Sequence, residues 1–213
     1  MTRNALVRNT VVSIMLLIAM IFGGFVYQHL YASPKFNPQE LHATYLSPAR
    51  PMPTFELTDI YGKVLRPSHM IGQWSFLFFG FTQCHSICPA TMAELHQMND
   101  ILRRSEEIKK LPNIYMISLD PARDTPDSLK QYVKGFDKDF LGGLGTPTMI
   151  QSLTQHLGIV YDTQVRQDGQ IDHSGSVTVV NPAGDIVAFF TPPLHAQEMA
   201  EDFIKLSQHY DVH

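Results

Sequence analysis

The sequence is poor in cysteine and carries no excess of positive charge. Among 213 residues there are only two cysteines, Cys84 and Cys88, and the formal net charge is −4. Two cysteines exclude a disulfide-dense scaffold, and a bridge between residues so close in sequence would constrain the unfolded chain very little. The lack of a basic excess argues against a nucleic-acid-binding protein. Redox or metal chemistry is therefore the first explanation to consider for the cysteine pair.

Charged residues are also missing from a long N-terminal stretch, residues 9–34, most of which is apolar. Its length is near the ~20 residues needed to cross the hydrocarbon of a bilayer. Arg3 and Arg8 precede it, which predicts a cytoplasmic N-terminus. We expect residues 1–30 to form a single-pass anchor in the inner (cell) membrane, with the rest of the chain on the periplasmic, extracytoplasmic side. A cleaved signal peptide is the alternative, although Tyr31-Ala32-Ser33 only weakly matches a cleavage site.

A proline-rich stretch follows the apolar segment. Residues 31–53 contain five of the 14 prolines in the chain, and this density opposes regular structure and favours an extended spacer. Residues 54–213 are then left for one globular domain, which is enough chain for one hydrophobic core.

The globular domain reads as alternating strands and helices. Residues 74–81 (WSFLFFGF) form a continuous apolar run that is typical of a central strand buried on both faces. A helical pattern follows Pro89, a second one opens at Thr125-Pro126, and a third at Pro147. The full order is βαβα, an extra helix, then ββα, with strands also expected at residues 159–165, 177–180 and 186–190. This order predicts an α/β fold with a mixed sheet and helices on both faces.

The two cysteines lie where the apolar strand gives way to the first helix. A helix N-terminus carries roughly +0.5 charge and free N–H groups, which lower the pKa of a nearby cysteine. Residues four apart on a helix share one face, so both sulfurs can point at one spot. The alternative, two cysteines that merely fill the core, fits this placement less well. The spacing therefore predicts a redox dithiol or a site for a soft metal.

Three sequence blocks resemble the Sco/SenC family of membrane-anchored copper chaperones. The first is Gly80-Phe81-Thr82-Gln83-Cys84-His85-Ser86-Ile87-Cys88-Pro89. The second is Ser118-Leu119-Asp120-Pro121-Ala122-Arg123-Asp124-Thr125-Pro126, and the third is Asp172-His173-Ser174. They occur in family order over roughly residues 53–208, and the N-terminal anchor fits the family as well.

The resemblance implies a thioredoxin-like domain that binds copper through Cys84, Cys88 and His173. It also implies a role in assembling cytochrome c oxidase, by delivering copper to the binuclear copper centre of its copper-bearing subunit or by reducing the cysteines of that centre. A thiol reductant or another copper carrier is then a further expected partner. Two thiolates and one imidazole suit Cu(I), and they hold Cu(II) when a weak further ligand is added.

The first block departs from the usual Cys-Pro-Asp-x-Cys-Pro pattern of the family, because His85 and Ser86 replace the proline and the acid. Losing the acid makes the site less negative, which favours thiolates and slightly disfavours a cation. His85 is either a further ligand or, as we expect, a solvent-facing residue. For Asp120, Arg123 and Asp124 of the second block, a functional reading places Asp120 near the dithiol, where it would tune a proton or the copper. We expect them to fix the strand-to-helix turn instead.

Two function classes remain open from the sequence. A metallochaperone needs all three ligands, whereas a thiol-disulfide oxidoreductase needs only the redox dithiol Cys84 and Cys88 and has no use for His173 as a ligand. The spacing of three residues between the cysteines is less usual for an oxidoreductase than a spacing of two. We therefore expect mainly a chaperone, with thiol-disulfide exchange as the alternative and a peroxidase-like redoxin as a weaker one.

Overall fold

The two cysteines and the sheet belong to the second of two units. The computed structural model describes residues 3–31, 36–162 and 164–211. It divides into an N-terminal unit, Met1–Asn37, and a C-terminal unit, Pro38–His213.

One long helix forms most of the N-terminal unit. Helix α1 covers Arg3–Tyr31 and exposes large apolar side chains such as Phe22 and Phe25. Within the described residues, no helix combines the length and the apolar character that crossing a membrane requires. The anchor expected for residues 1–30 therefore stays a prediction, and the side chains of Arg3 and Arg8 lie outside the described ones.

The C-terminal unit alternates strands with helices. In chain order the elements are β1 (Thr44–Pro51), β2 (Leu57–Asp59), β3 (Val64–Leu65), β4 (Ser75–Gly80), α2 (Ile87–Arg104), β5 (Asn113–Ser118), α3 (Pro126–Phe136), β6 (Leu141–Leu144), α4 (Pro147–Leu157), β7 (Val177–Val180), β8 (Asp185–Phe190) and α5 (Ala196–Asp211). The strands form one sheet in the order β1-β8-β7-β4-β5-β6-β2-β3. Strands β4, β5 and β6 are parallel, and the other pairs are antiparallel. The predicted mixed sheet flanked by helices is confirmed.

Strand β4 lies at the centre of the sheet, and all six of its residues are buried. Because alternate side chains of a strand point to opposite faces, Phe76 packs against Phe203 of α5 on one face, with ring centroids 5.6 Å apart. On the other face, Leu77 and Phe79 share a core cluster with Leu153 of α4. Burial on both faces explains why residues 76–79 of this strand are all large and apolar.

The expectation of an extended spacer is wrong for part of residues 31–53. Residues 44–51 form strand β1, which pairs antiparallel with β8 and shifts register between Tyr45 and Arg50. Strand β1 is the first of the sheet order and so an edge strand, where a proline costs no ladder hydrogen bond on the free side. Pro48 is therefore compatible with a strand here. Residues 32–35 lie outside the described ones.

Two strand assignments also change. The strand expected at residues 159–165 is absent from the described residues of this segment, which make only an isolated bridge between Tyr161 and His173. Strand β6, which the sequence pattern missed, reads Leu-Gly-Gly-Leu. A Cβ at Gly142 would lie 2.8 Å from a methyl carbon of Leu129, so glycine allows α3 to pack closely on this strand.

Candidate metal centre

The two cysteines lie at the start of helix α2, just after the central strand. Cys84 is in the loop that follows β4, and Cys88 is the second residue of α2. Ser86 precedes the helix but makes no side-chain capping hydrogen bond. The backbone N–H of Cys88 instead donates to Cys84 Sγ at 3.3 Å. The sulfur thus takes the place of a capping oxygen and receives one of the free N–H groups of the helix N-terminus.

The two thiols differ in acidity. The Cys88 thiol, His173 and the backbone N–H groups at the helix start lower the pKa of Cys84 to about 3, although burial acts in the opposite direction. Burial, together with the neighbouring Cys84 sulfur, raises the pKa of Cys88. In the metal-free, reduced protein Cys84 is therefore the thiolate and Cys88 the thiol at neutral pH.

His173 reaches the dithiol from a distant part of the chain. It lies on a hairpin, residues 160–174, which we call the histidine hairpin; residue 163 is outside the described residues. The hairpin is closed by Asp162 N–H donating to the carbonyl of Asp172 at 2.7 Å and by Ser174 N–H donating to the carbonyl of Val160 at 2.9 Å. His173 Nε2 lies 3.4 Å from Cys88 Sγ. The histidine predicted from the third block therefore contacts the predicted dithiol.

Apolar rings and one backbone group fix the orientation of the His173 imidazole. The rings of Phe78 and Phe81 lie 5.9 and 6.1 Å from it, measured between ring centroids. The N–H of Gly175 donates to His173 Nδ1 at 3.3 Å. The Nε2 atom is left facing the sulfurs, as a ligand nitrogen must be.

The donor atoms are close enough to share one ion. The sulfurs of Cys84 and Cys88 and a ring nitrogen of His173 all lie within 4.8 Å of one another. An open pocket of about 290 Å³ reaches the group and is lined by Cys84 and His173, among others, whereas Cys88 is fully buried. Two sulfurs and one nitrogen fit a soft ion such as Cu(I), which accepts three ligands, better than zinc, which usually takes four.

Asp124 holds the loop before the dithiol in place. Its buried carboxylate accepts hydrogen bonds from Thr82 Oγ1 at 2.5 Å and from Ser118 Oγ at 2.6 Å, and also from the N–H of Thr82. It thereby ties the end of β4 to the end of β5. Asp120 pairs with Arg123 beside it. These contacts support the structural reading of the second block.

The structure leaves the other candidate ligands outside the three-residue group. His85 is exposed, and its N–H donates to Gln170 Oε1 at 3.2 Å. Met92, Met98 and Met116, whose thioethers are soft donors, are fully buried in the core. Gln170 has no signal in the sequence, because the partners of its side chain lie 85 and 87 residues away and glutamine is common on surfaces.

The comparisons with known proteins agree on one family. The SCO1/SenC family model matches residues 43–208. A proposed copper-binding protein of Stutzerimonas stutzeri is 33% identical over 147 residues, which cover 68% of this chain and 71% of that one. A crystal structure of Arabidopsis thaliana ScoI with copper bound has a TM-score of 0.68 at 27% identity and covers 73% of this chain and 98% of that chain. Yeast Sco1 with copper bound has a TM-score of 0.66 at 25% identity and covers 77% and 90%.

Proposed function

The chain belongs to the SCO1/SenC family, and from that premise we propose that it is a copper-binding metallochaperone. Cys84, Cys88 and His173 hold one copper ion, as Cu(I) or Cu(II). The observation that carries the proposal is the convergence of their donor atoms within 4.8 Å. The copper-bound relatives support the choice of metal. Copper is the cargo of this site, and the two thiolates and the imidazole supply its binding.

The proposed recipient is the copper-bearing subunit of cytochrome c oxidase. Copper leaves by ligand exchange, in which a cysteine of the recipient enters the pocket and replaces first one ligand of this chain and then the next. Cys84 and His173 line the pocket and exchange first, whereas the buried Cys88 is released last. An oxidised Cys84–Cys88 disulfide has no thiolate to offer, so the reductant of the compartment controls loading.

We propose that residues 1–30 hold this domain on the periplasmic side of the inner membrane. The proposal rests on the uncharged segment at residues 9–34 and on the arginines before it. Membrane fractionation tests it: the full chain should remain with the membranes after a carbonate wash, and a soluble chain would contradict the anchor.

Copper retention by ligand variants tests the chaperone proposal. The reduced full chain should retain one copper per molecule after gel filtration, and Cys84→Ala and Cys88→Ala should each retain almost none. His173→Ala should bind at least about tenfold more weakly, because two thiolates remain. The control is His156→Ala, since His156 is exposed on α4, away from the site. Retention of one copper by both cysteine variants would refute this ligand set.

The unequal acidity of the thiols favours a second function, thiol-disulfide exchange. The Cys84 thiolate attacks a sulfur of a partner disulfide; a mixed disulfide forms, and the partner's other sulfur leaves and takes up a proton. Cys88 then loses its proton and attacks Cys84 Sγ, which releases the second partner thiol. Two electrons pass to the partner, and this chain ends as the disulfide. His173→Ala should keep this activity while copper binding weakens.

A further inference from the structure

The two segments that supply the ligands are joined by one glutamine side chain. We call residues 82–88 the dithiol loop. Gln170 lies on the histidine hairpin, three residues before His173, and its carboxamide reaches across to the dithiol loop. Its Oε1 accepts from the N–H of His85 at 3.2 Å, and its Nε2 donates to the carbonyl of Gln83 at 3.1 Å. The two partners flank Cys84 in the sequence, so the carboxamide holds the backbone on both sides of that ligand.

The ring of His85 completes the contact. His85 Nδ1 lies 3.2 Å from Gln170 Nε2, which is within hydrogen-bond distance. His85 is the residue that replaces the usual proline of the family block, and a proline there would have had neither the N–H nor the ring nitrogen. The contact of Gln170 with residue 85 thus depends on the departure of this chain from the usual pattern.

The histidine hairpin packs on the core through Tyr161 and the buried Ile171, whereas its turn is held by polar links. It lies outside the eight-stranded sheet, and its internal pairing is an isolated bridge. Arg123 adds a second link, since its guanidinium donates to the carbonyl of Gly169 at 2.8 Å and reaches Gln83 Oε1 at 3.4 Å. Both links meet the hairpin at its turn and the loop at Gln83, and Gln170 itself lines the pocket.

We propose that Gln170 is a positioning residue for the copper site. Its carboxamide fastens the histidine hairpin to the dithiol loop in the metal-free protein, so that His173 faces the two sulfurs before copper arrives. A ligand set that is already assembled binds without the cost of ordering a loop. The proposal rests on the proposed copper function and adds to it a residue that does not touch the metal.

Copper affinity and a nitrogen signature test this role. We expect Gln170→Ala to lower Cu(I) affinity about tenfold in competition with a chromophoric chelator, as supporting residues of metal sites do. In the Cu(II) form, the nitrogen hyperfine coupling of His173 should weaken in the electron paramagnetic resonance spectrum. Gln167→Ala, an exposed glutamine on the same hairpin, is the matched control and should change neither. Wild-type affinity and an unchanged nitrogen signal in Gln170→Ala would overturn the proposal.

A double-mutant cycle with His85→Ala separates positioning from direct ligation. His85→Ala keeps both backbone hydrogen bonds to Gln170, so its loss should be smaller than that of Gln170→Ala, and the double variant should be no weaker than Gln170→Ala alone. A larger loss in His85→Ala would identify His85 as a ligand and refute the role of Gln170 as the link.

The metal-free protein provides a readout that does not depend on copper. Amide hydrogen exchange at His85 should accelerate in Gln170→Ala and stay slow in Gln167→Ala. If the wild type bound no copper but showed this protection, the chaperone proposal would fail while the link between the segments would stand. Equal exchange in wild type and Gln170→Ala would refute the link itself.

Discussion

The ligands of the proposed copper site come from two regions that are built differently. The dithiol loop follows the fully buried strand β4, and its position is fixed by the helix start and by the hydrogen bonds of Asp124. The histidine hairpin packs on the core through Tyr161 and Ile171, but its turn is joined to the dithiol loop by the side chains of Gln170 and Arg123. The first region is positioned by the core of the fold, and the turn of the second by polar contacts with the dithiol loop. We therefore expect the dithiol to keep its properties when the histidine hairpin is disturbed. The hairpin, in contrast, should not keep its position when the dithiol loop is disturbed.

The largest expected effect concerns the acidity of Cys84. Because its pKa is lowered to about 3, the thiolate is fully formed above about pH 5, and the rate of alkylation by iodoacetamide should be flat from pH 5 to about pH 9. The rate should fall only when the pH is lowered toward the pKa of Cys84. Peptide mass spectrometry of the reduced, metal-free chain measures this rate at Cys84.

Variants of the two regions should affect this profile unequally. Cys88→Ala removes the strongest cause of the low pKa, so the pKa should rise and the rate at pH 5 should drop by more than about tenfold. His173→Ala removes a weaker cause and should change it less. An equal or larger effect of His173→Ala would contradict the view that the dithiol loop sets its own acidity.

Stability should show the same asymmetry. Asp124→Ala leaves the buried hydroxyl of Ser118 and the half-buried donors of Thr82 without their acceptor, and we expect the free energy of unfolding to fall by about 2–4 kcal/mol. Arg166→Ala removes exposed ion pairs of the histidine hairpin with Asp168 and Asp172 and should change it by less than about 1 kcal/mol. Urea unfolding of both variants measures the difference. A larger loss in Arg166→Ala than in Asp124→Ala would contradict this asymmetry.

A smaller effect is expected from the residue that lies beneath the dithiol. A Cβ at Gly80 would lie 2.8 Å from Cys88 Sγ and 2.8 Å from the ring of Phe78. Gly80→Ala should therefore displace the sulfur and lower the free energy of unfolding by about 1–3 kcal/mol. Gly135→Ala is the control, because a Cβ there meets nothing within 4 Å and alanine stabilises a helix by up to about 1 kcal/mol. The two substitutions should have opposite signs.

The same asymmetry explains what could be predicted from the sequence. Strand β4, the helix start and the proline-opened helices α3 and α4 are local patterns, and the structure has them where the sequence predicted them. Cys84 and Cys88 follow from the same local pattern. The position of His173 relative to the sulfurs depends on contacts between segments 85 residues apart, so only the resemblance to a family indicated it. The sequence does not predict the role of Gln170, because that role depends entirely on tertiary contacts.

Edge strand β1 and strand β6 show two other limits. The prolines of β1 are compatible with a strand only because its outer edge is free, and sequence alone does not reveal which strand lies at an edge. The glycines of β6 have no side chains to signal a pattern. Gly142 is explained by the close approach of Leu129, and a Cβ at Gly143 would lie 3.1 Å from a methyl carbon of Ile117. Both strands are set by their neighbours in the sheet.

The coordination of copper in the loaded protein tests the central claim most directly. X-ray absorption spectroscopy of the reduced full chain loaded with one equivalent of Cu(I) should give two sulfur ligands and one nitrogen, from Cys84, Cys88 and His173. His173→Ala should lose the nitrogen and keep both sulfurs. A wild-type spectrum without nitrogen, or a nitrogen that persists in His173→Ala, would contradict the account.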